Sequence, residues 1–198
     1  MSGPGGTVPT VLAVIDMQNV FGAPDSQWLA PRFAEVVDPV RRLAEAYGPA
    51  TVFTRFVAPG TPRGSWVPYY EQWPFALQPP DSPLWDVVPD LADAAERAER
   101  AGHVVSATTF SKWDRLRSLV GADGRLVLCG VSTDCCVIST ALAAADDGVE
   151  VVVVADACAG VDDESHAKAL HVMGLYAPLV RVVDLAEGLA LAPGVERP

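Results

Sequence analysis

The chain reads as an α/β protein: a three-layer α/β/α sandwich built on a six-stranded parallel sheet. Three observations predict this. Six short apolar runs, rich in β-branched residues, recur along the 198 residues. Continuous runs of that kind suit strands covered on both faces. Amphipathic stretches separate them, and such alternation implies right-handed crossovers between parallel strands. One run leads through a glycine turn directly into an Ala-rich helix, a junction where open α/β sheets place their ligands.

The elements follow in order. Val11 to Ile15, Thr51 to Phe56, Val104 to Ala107, Leu126 to Cys129, Val151 to Ala155 and Val180 to Val183 are the six predicted strands, all read as buried. Helical periodicity is expected over Ala30 to Tyr47, Asp90 to Ala101, Trp113 to Val120, Asp134 to Asp147, Glu164 to Tyr176 and a short Leu185 to Leu191. No internal repeat or linker divides the chain, so residues 1–198 are expected to form one domain, with residues 1–9 a flexible Gly/Pro-rich start. Residues 57–89 break the rhythm with eight prolines and the aromatics Trp66, Tyr69, Tyr70, Trp73, Phe75 and Trp85. A long segment so rich in aromatics is expected to be ordered. It is read as an excursion over the carboxyl end of the sheet, walling a pocket or covering a subunit neighbour. Aromatics that merely anchor a surface loop are the equal alternative.

Composition narrows the function. Half the residues are hydrophobic and a fifth are charged, with a net charge of −11. That balance argues against a nucleic-acid surface. The run Val11 to Ile15 is too short for a membrane span or signal core, so neither a membrane nor a targeting role is expected. The cysteines Cys129, Cys135, Cys136 and Cys158 form no disulfide framework and no CxxC metal knuckle, which suits a reducing cytoplasm.

The chemistry concentrates in Gly130-Val131-Ser132-Thr133-Asp134-Cys135-Cys136-Val137. A cysteine in a helix's first turn faces unpaired N–H groups and the positive end of the macrodipole, and both favour the thiolate. A buried structural cysteine is the plainer alternative. Asp16 ends the first strand at the same sheet edge, where it could take a thiol proton or simply cap the next segment. Asp156 is expected to organise loops, and Cys158 to be buried. Oxidation of the Cys135-Cys136 pair would block a nucleophile, but a ring between adjacent cysteines is strained.

Three segments, Val14-Ile15-Asp16-Met17-Gln18-Asn19, the Gly130–Val137 turn and Val154-Ala155-Asp156-Ala157-Cys158-Ala159, resemble in order the markers of the isochorismatase-like cysteine hydrolases. The superfamily includes nicotinamidases and N-carbamoylsarcosine amidases, and the resemblance covers about Thr10 to Leu189. It implies an Asp–Lys–Cys triad, with Asp16 as proton acceptor and donor and Cys136 as nucleophile, Cys135 filling a variable position. It also implies a cis peptide between Val131 and Ser132 that turns the Ser132 N–H to join that of Cys136 in an oxyanion hole.

Lysine is where the sequence departs from that pattern. The chain has two lysines, Lys112 and Lys168. Lys168 is read as a solvated helix residue. Alignment on Ser111-Lys112-Trp113 puts Ala107 in the family's lysine slot, so Lys112 stands five residues late. Either the loop from Thr108 to Trp113 folds back to bring Lys112 to the site, or the site works without lysine.

Nicotinamidases in this superfamily bind a metal through an Asp-x-His pair after the second strand. Here that stretch is Thr54-Arg55-Phe56-Val57, and His103, His166 and His171 lie elsewhere. No metal and no other cofactor is expected. Arg55 is a candidate anchor for a substrate carboxylate or the partner of a nearby acid, and Gln18 is a second candidate substrate contact.

The expected activity is hydrolysis of a small-molecule amide or carbamoyl C–N bond through a Cys136 thioester. The alternatives are an isochorismatase-type vinyl-ether hydrolase, which does not use the cysteine, and a catalytically silent binding protein on the same fold. The resemblance also implies a homo-oligomer, dimer or tetramer.

Overall fold

A computed structural model describes residues 8–194. Residues 1–7 of the expected flexible start lie outside the described residues. Six strands form one sheet: β1 (Thr10–Ile15), β2 (Thr51–Phe56), β3 (Val104–Ala107), β4 (Arg125–Val131), β5 (Glu150–Ala159) and β6 (Val180–Val183). All pair in parallel, in the order β3-β2-β1-β4-β5-β6. The chain winds outward from β1 in one direction and from β4 in the other, so the topological switch point lies between those two strands. That is where a crevice opens beyond the carboxyl ends of an open α/β sheet.

The helices are α1 (Asn19–Gly22), α2 (Phe33–Tyr47), α3 (Trp66–Gln72), α4 (Ala92–Arg100), α5 (Trp113–Val120), α6 (Ile138–Asp146), α7 (Asp163–Gly174) and α8 (Leu185–Ala190). On one face Leu12, Val14, Val127 and Val152 pack against Val36, Val40 and Leu43 of α2 and Ala94 and Ala98 of α4. On the other, Ala13, Ile15, Leu128 and Val153 meet Leu116 of α5, Ala141 and Ala144 of α6 and Met173 of α7. Successive strand residues thus feed opposite cores, as a period of two requires.

Three expectations need correction. β3 and β6 are only partly buried, because each is an edge strand with a neighbour on one side. β5 runs on past Asp156 to Ala159, by way of a register shift opposite Leu128 and Gly130. The predicted Asp134–Asp147 helix opens instead with a π-type turn over Thr133–Val137, in which the Val137 N–H reaches the Ser132 carbonyl at 3.1 Å. Wide turns of this kind are frequent at functional sites.

Within residues 57–89, α3 and several short turns stay ordered. Trp85 is wholly buried, and Val87 pairs with Gln18 in an antiparallel bridge beside β1. Among the described residues, no helix is long and apolar enough to cross a membrane.

Candidate active site

The site forms where β1 and β4 end side by side, Ile15 paired with Gly130. Gly130 has φ +108, and a Cβ there would lie 2.1 Å from the Ile15 carbonyl oxygen. Only glycine allows the two strand ends this approach. Beyond it the Val131–Ser132 peptide is cis, and the π-type turn carries Cys135 and Cys136. Asp16, just past β1, sits at φ +49, an uncommon conformation for a residue with a side chain. Thr54 of β2 holds it there. The Thr54 hydroxyl donates to Asp16 Oδ1 at 2.6 Å and accepts the Asp16 N–H at 3.2 Å.

The segment Thr108–Ser111 folds back and delivers Lys112 to the same point. Lys112 Nζ lies 2.9 Å from Asp16 Oδ2, with both side chains fully buried. It donates to the Thr109 carbonyl at 2.7 Å and stands 4.0 Å from Cys136 Sγ. Its backbone N–H is accepted by the Thr140 hydroxyl at 3.0 Å, and that hydroxyl donates to the Cys136 carbonyl at 2.7 Å. A lysine five positions late in the sequence therefore reaches both carboxylate and thiol.

The charges follow from burial. Desolvation alone would lower the Lys112 pKa, but Asp16 foremost and then Cys136 raise it, and the net shift is upward. The neighbouring carboxylate thus favours the charged form of the Lys112 ammonium despite its burial. The Cys136 thiol is pushed well above its ordinary value by its hydrogen bond with Cys135, then by burial and the Asp16 carboxylate, against the pull of Lys112. Cys135 is shifted down by the same hydrogen bond. The hydrogen bond with Cys135, burial and a neighbouring carboxylate thus work against the thiolate that the helix-start argument favours.

Above Cys136 lies a cavity of about 230 Å³. Ser132, Asp134, Cys135 and Cys136 form its floor, and Phe21, Trp28, Phe56, Tyr69, Trp73 and Phe110 contribute aromatic walls. Tyr69 and Trp73 come from residues 57–89, so part of that excursion does wall the pocket. Phe21 and Trp28, from the segment after β1, carry no motif that marks them in the sequence. Thr54 and Thr140 are equally unmarked, although the alternation along β2 places Thr54, not Arg55, toward Asp16.

Two candidate contacts do not reach the cavity. Gln18 is wholly buried and spends its amide on the backbone. Its Nε2 donates to the Phe56 and Trp85 carbonyls at 3.0 and 2.7 Å, and its Oε1 accepts the Phe56 N–H at 2.8 Å. It ties the excursion to β2. Arg55 faces away from Asp16 and donates from Nε to the Ser106 hydroxyl on β3 at 3.2 Å. Asp156 accepts the Leu185 N–H at the start of α8, Cys158 is buried, and Lys168 pairs with Glu164 on an exposed face. All four cysteines are free thiols. Among the described residues, no group of three or more His, Cys, Asp or Glu is placed to hold a metal ion.

A carboxylate, an ammonium and a thiol thus meet at the switch point of the sheet. The family model of the isochorismatase domain matches residues 10–187. The chain belongs to the isochorismatase family. Several solved structures share the isochorismatase-like fold. A cysteine hydrolase from Pseudomonas syringae pv. phaseolicola 1448A superposes with a TM-score of 0.76 at 20% identity, covering 96% of this chain and 95% of that one. A nicotinamidase/pyrazinamidase from Bacillus subtilis has a TM-score of 0.72 at 21% identity, covering 89% and 100%. An isochorismatase-like hydrolase from Alkaliphilus metalliredigens has a TM-score of 0.71 at 19% identity, covering 92% and 97%. No curated protein matches the chain.

Proposed function

We propose that this isochorismatase-family protein is a cysteine hydrolase that opens a non-peptide C–N bond, amide or carbamoyl, in a small molecule. The observation that carries the reading is the position of Lys112 Nζ, 2.9 Å from Asp16 Oδ2 and 4.0 Å from Cys136 Sγ, under an aromatic cavity.

In the resting site Cys136 holds its proton. When a carbonyl carbon sits over Sγ, Asp16 accepts that proton and Sγ bonds to the carbon. The N–H groups of Ser132 and Cys136 receive the developing oxyanion, each such donor contributing about 3–4 kcal/mol to the transition state. The C–N bond breaks, and the leaving nitrogen takes the proton from Asp16 and departs as ammonia or amine. Water then attacks the thioester, passing a proton to Asp16. The C–S bond breaks, the acid leaves, and Asp16 returns the proton to Cys136. Lys112 stays cationic throughout and offsets charge on Asp16 and sulfur in turn. The silent-scaffold alternative rested on the vacant lysine slot at Ala107, and the reach of Lys112 removes that support.

The test is intact-mass and peptide spectrometry after rapid acid quench with a panel of small amides and ureas. An acyl adduct on Cys136, with ammonia release abolished in Cys136→Ala, is the expected result. Turnover that persists in Cys136→Ala would overturn the reading.

A further inference from the structure

The cavity is walled mainly by aromatic rings, with Gln27, Ser132 and Val161 among them, and carries a charge of one sign. Six aromatic rings line it, and the charged side chain among its lining residues is Asp134. Asp134 Oδ1 accepts the Val161 N–H at 2.9 Å, which holds the carboxylate in place. Lys112 lies beneath the floor with its charge matched by Asp16, and Arg55 is turned toward Ser106. Among the described residues no cationic side chain lines the cavity, so a substrate carboxylate would meet Asp134 with none of them to offset it.

We infer that the substrate carries, at the end remote from the scissile bond, a compact alkylammonium group seated among the aromatic rings beside Asp134. This rests on the hydrolase reading above. The faces of Trp and Tyr attract cations through their ring quadrupoles, most strongly where water is excluded. One ring of this cluster already holds a cation, since Lys112 Nζ stands 5.0 Å from the Phe56 ring centroid. Trp28 lies at the centre of the cluster, with ring centroids of Phe21, Phe56, Tyr69 and Trp73 about it at 5.9 to 6.2 Å. A neutral group meets Gln27 and Ser132 as polar partners and the rings as apolar surface, whereas a cation gains the ring faces and the carboxylate together. The net charge of −11 favours arrival of the same sign of ligand.

Binding is read without turnover, by protection of Cys135 and Cys136 from iodoacetamide at constant ionic strength. Three isosteric probes are compared: tetramethylammonium, neopentyl alcohol and pivalate. Tetramethylammonium should protect at concentrations at least about tenfold lower than neopentyl alcohol, and pivalate should not protect. The preference should shrink in Asp134→Asn and in Trp28→Leu, the first guarding against a folding defect in the second. Equal or better protection by the neutral or anionic probe overturns the inference.

Ammonia release from trimethylammonioacetamide, 3,3-dimethylbutanamide and succinamate then separates the two claims. Selective protection with no hydrolysis of any amide sinks the hydrolase reading and leaves the cation site standing. Hydrolysis that favours the neutral amide sustains the hydrolase and sinks the cation site.

Discussion

The Thr140 hydroxyl accepts the Lys112 N–H at 3.0 Å and donates to the carbonyl of Cys136 at 2.7 Å, all within the core. One oxygen thereby ties the start of α5 to the nucleophile turn. Thr140→Val keeps the shape and leaves a buried N–H and a carbonyl without this partner, a loss of about 1–3 kcal/mol. Turnover should fall while Thr140→Ser, which retains the hydroxyl, restores both stability and rate. Comparing urea midpoints and single-turnover rates of the two variants checks this. A valine variant as fast as the serine one would show that the bridge positions nothing.

Lys112→Met strands the buried Asp16 carboxylate. Removing one partner of a buried ion pair costs about 3–5 kcal/mol, so the denaturation midpoint should drop sharply. Adding Asp16→Asn removes the stranded charge and should recover much of that stability, but no activity. If the double variant is no more stable than the single one, the pair is not the buried unit described.

The two adjacent thiols should titrate in opposite directions. Cys135 is shifted below, and Cys136 well above, the ordinary value of 9.0. A lowered pKa means thiolate at lower pH, so iodoacetamide should label Cys135 first near neutrality and Cys136 only in the alkaline range. Cys135→Ala removes the thiol hydrogen bond that leads the shift and should move the Cys136 profile to lower pH. Peptide mass spectrometry across a pH series reads both profiles, and an unmoved Cys136 profile in the variant would refute the shared-proton account.

Arg55→Ala should leave KM for any substrate within about twofold, since the guanidinium points to Ser106 and not into the cavity. Gln18→Leu should instead lower the unfolding free energy by about 1–3 kcal/mol, because three backbone groups of Phe56 and Trp85 lose a buried partner. A KM defect in Arg55→Ala without loss of stability would restore its role as a substrate anchor.

Gly130→Ala would place a methyl 2.1 Å from the Ile15 carbonyl at a backbone angle that L residues avoid. Overpacking of this sort costs about 1–3 kcal/mol before any backbone strain is counted. The variant should melt at markedly lower temperature in calorimetry, and an unchanged Tm would mean that the strand ends can part.

Much of the architecture was legible along the chain. The six strand runs carry their own β-branched pattern, and the turn from Gly130 to Val137 announces a sheet-edge nucleophile through strand, glycine and helix in sequence. Asp16 was visible for the same reason, as a carboxylate closing an apolar strand. Lys112 could be named from sequence only because the chain has two lysines, and whether its loop folded back was left open. Gln18 and Arg55 were misread because both stand near strand ends, where sequence shows position along a strand but not what lies opposite the side chain.

Local pattern determined the strands, most of the helices and the identity of the thiol, because hydrophobic periodicity and turn chemistry act over a few residues. Tertiary structure decided the rest. Lys112 meets Asp16 across 96 residues of chain, Thr54 meets Asp16 across 38 and Thr140 meets Lys112 across 28. The cavity draws its rings from the segment after β1, from β2, from the excursion and from the loop before α5. The upward shift of Cys136, led by its neighbour Cys135, is added to by burial and by Asp16 from another element. Such properties depend on which surfaces are brought together and how much water is excluded between them, and those follow from packing.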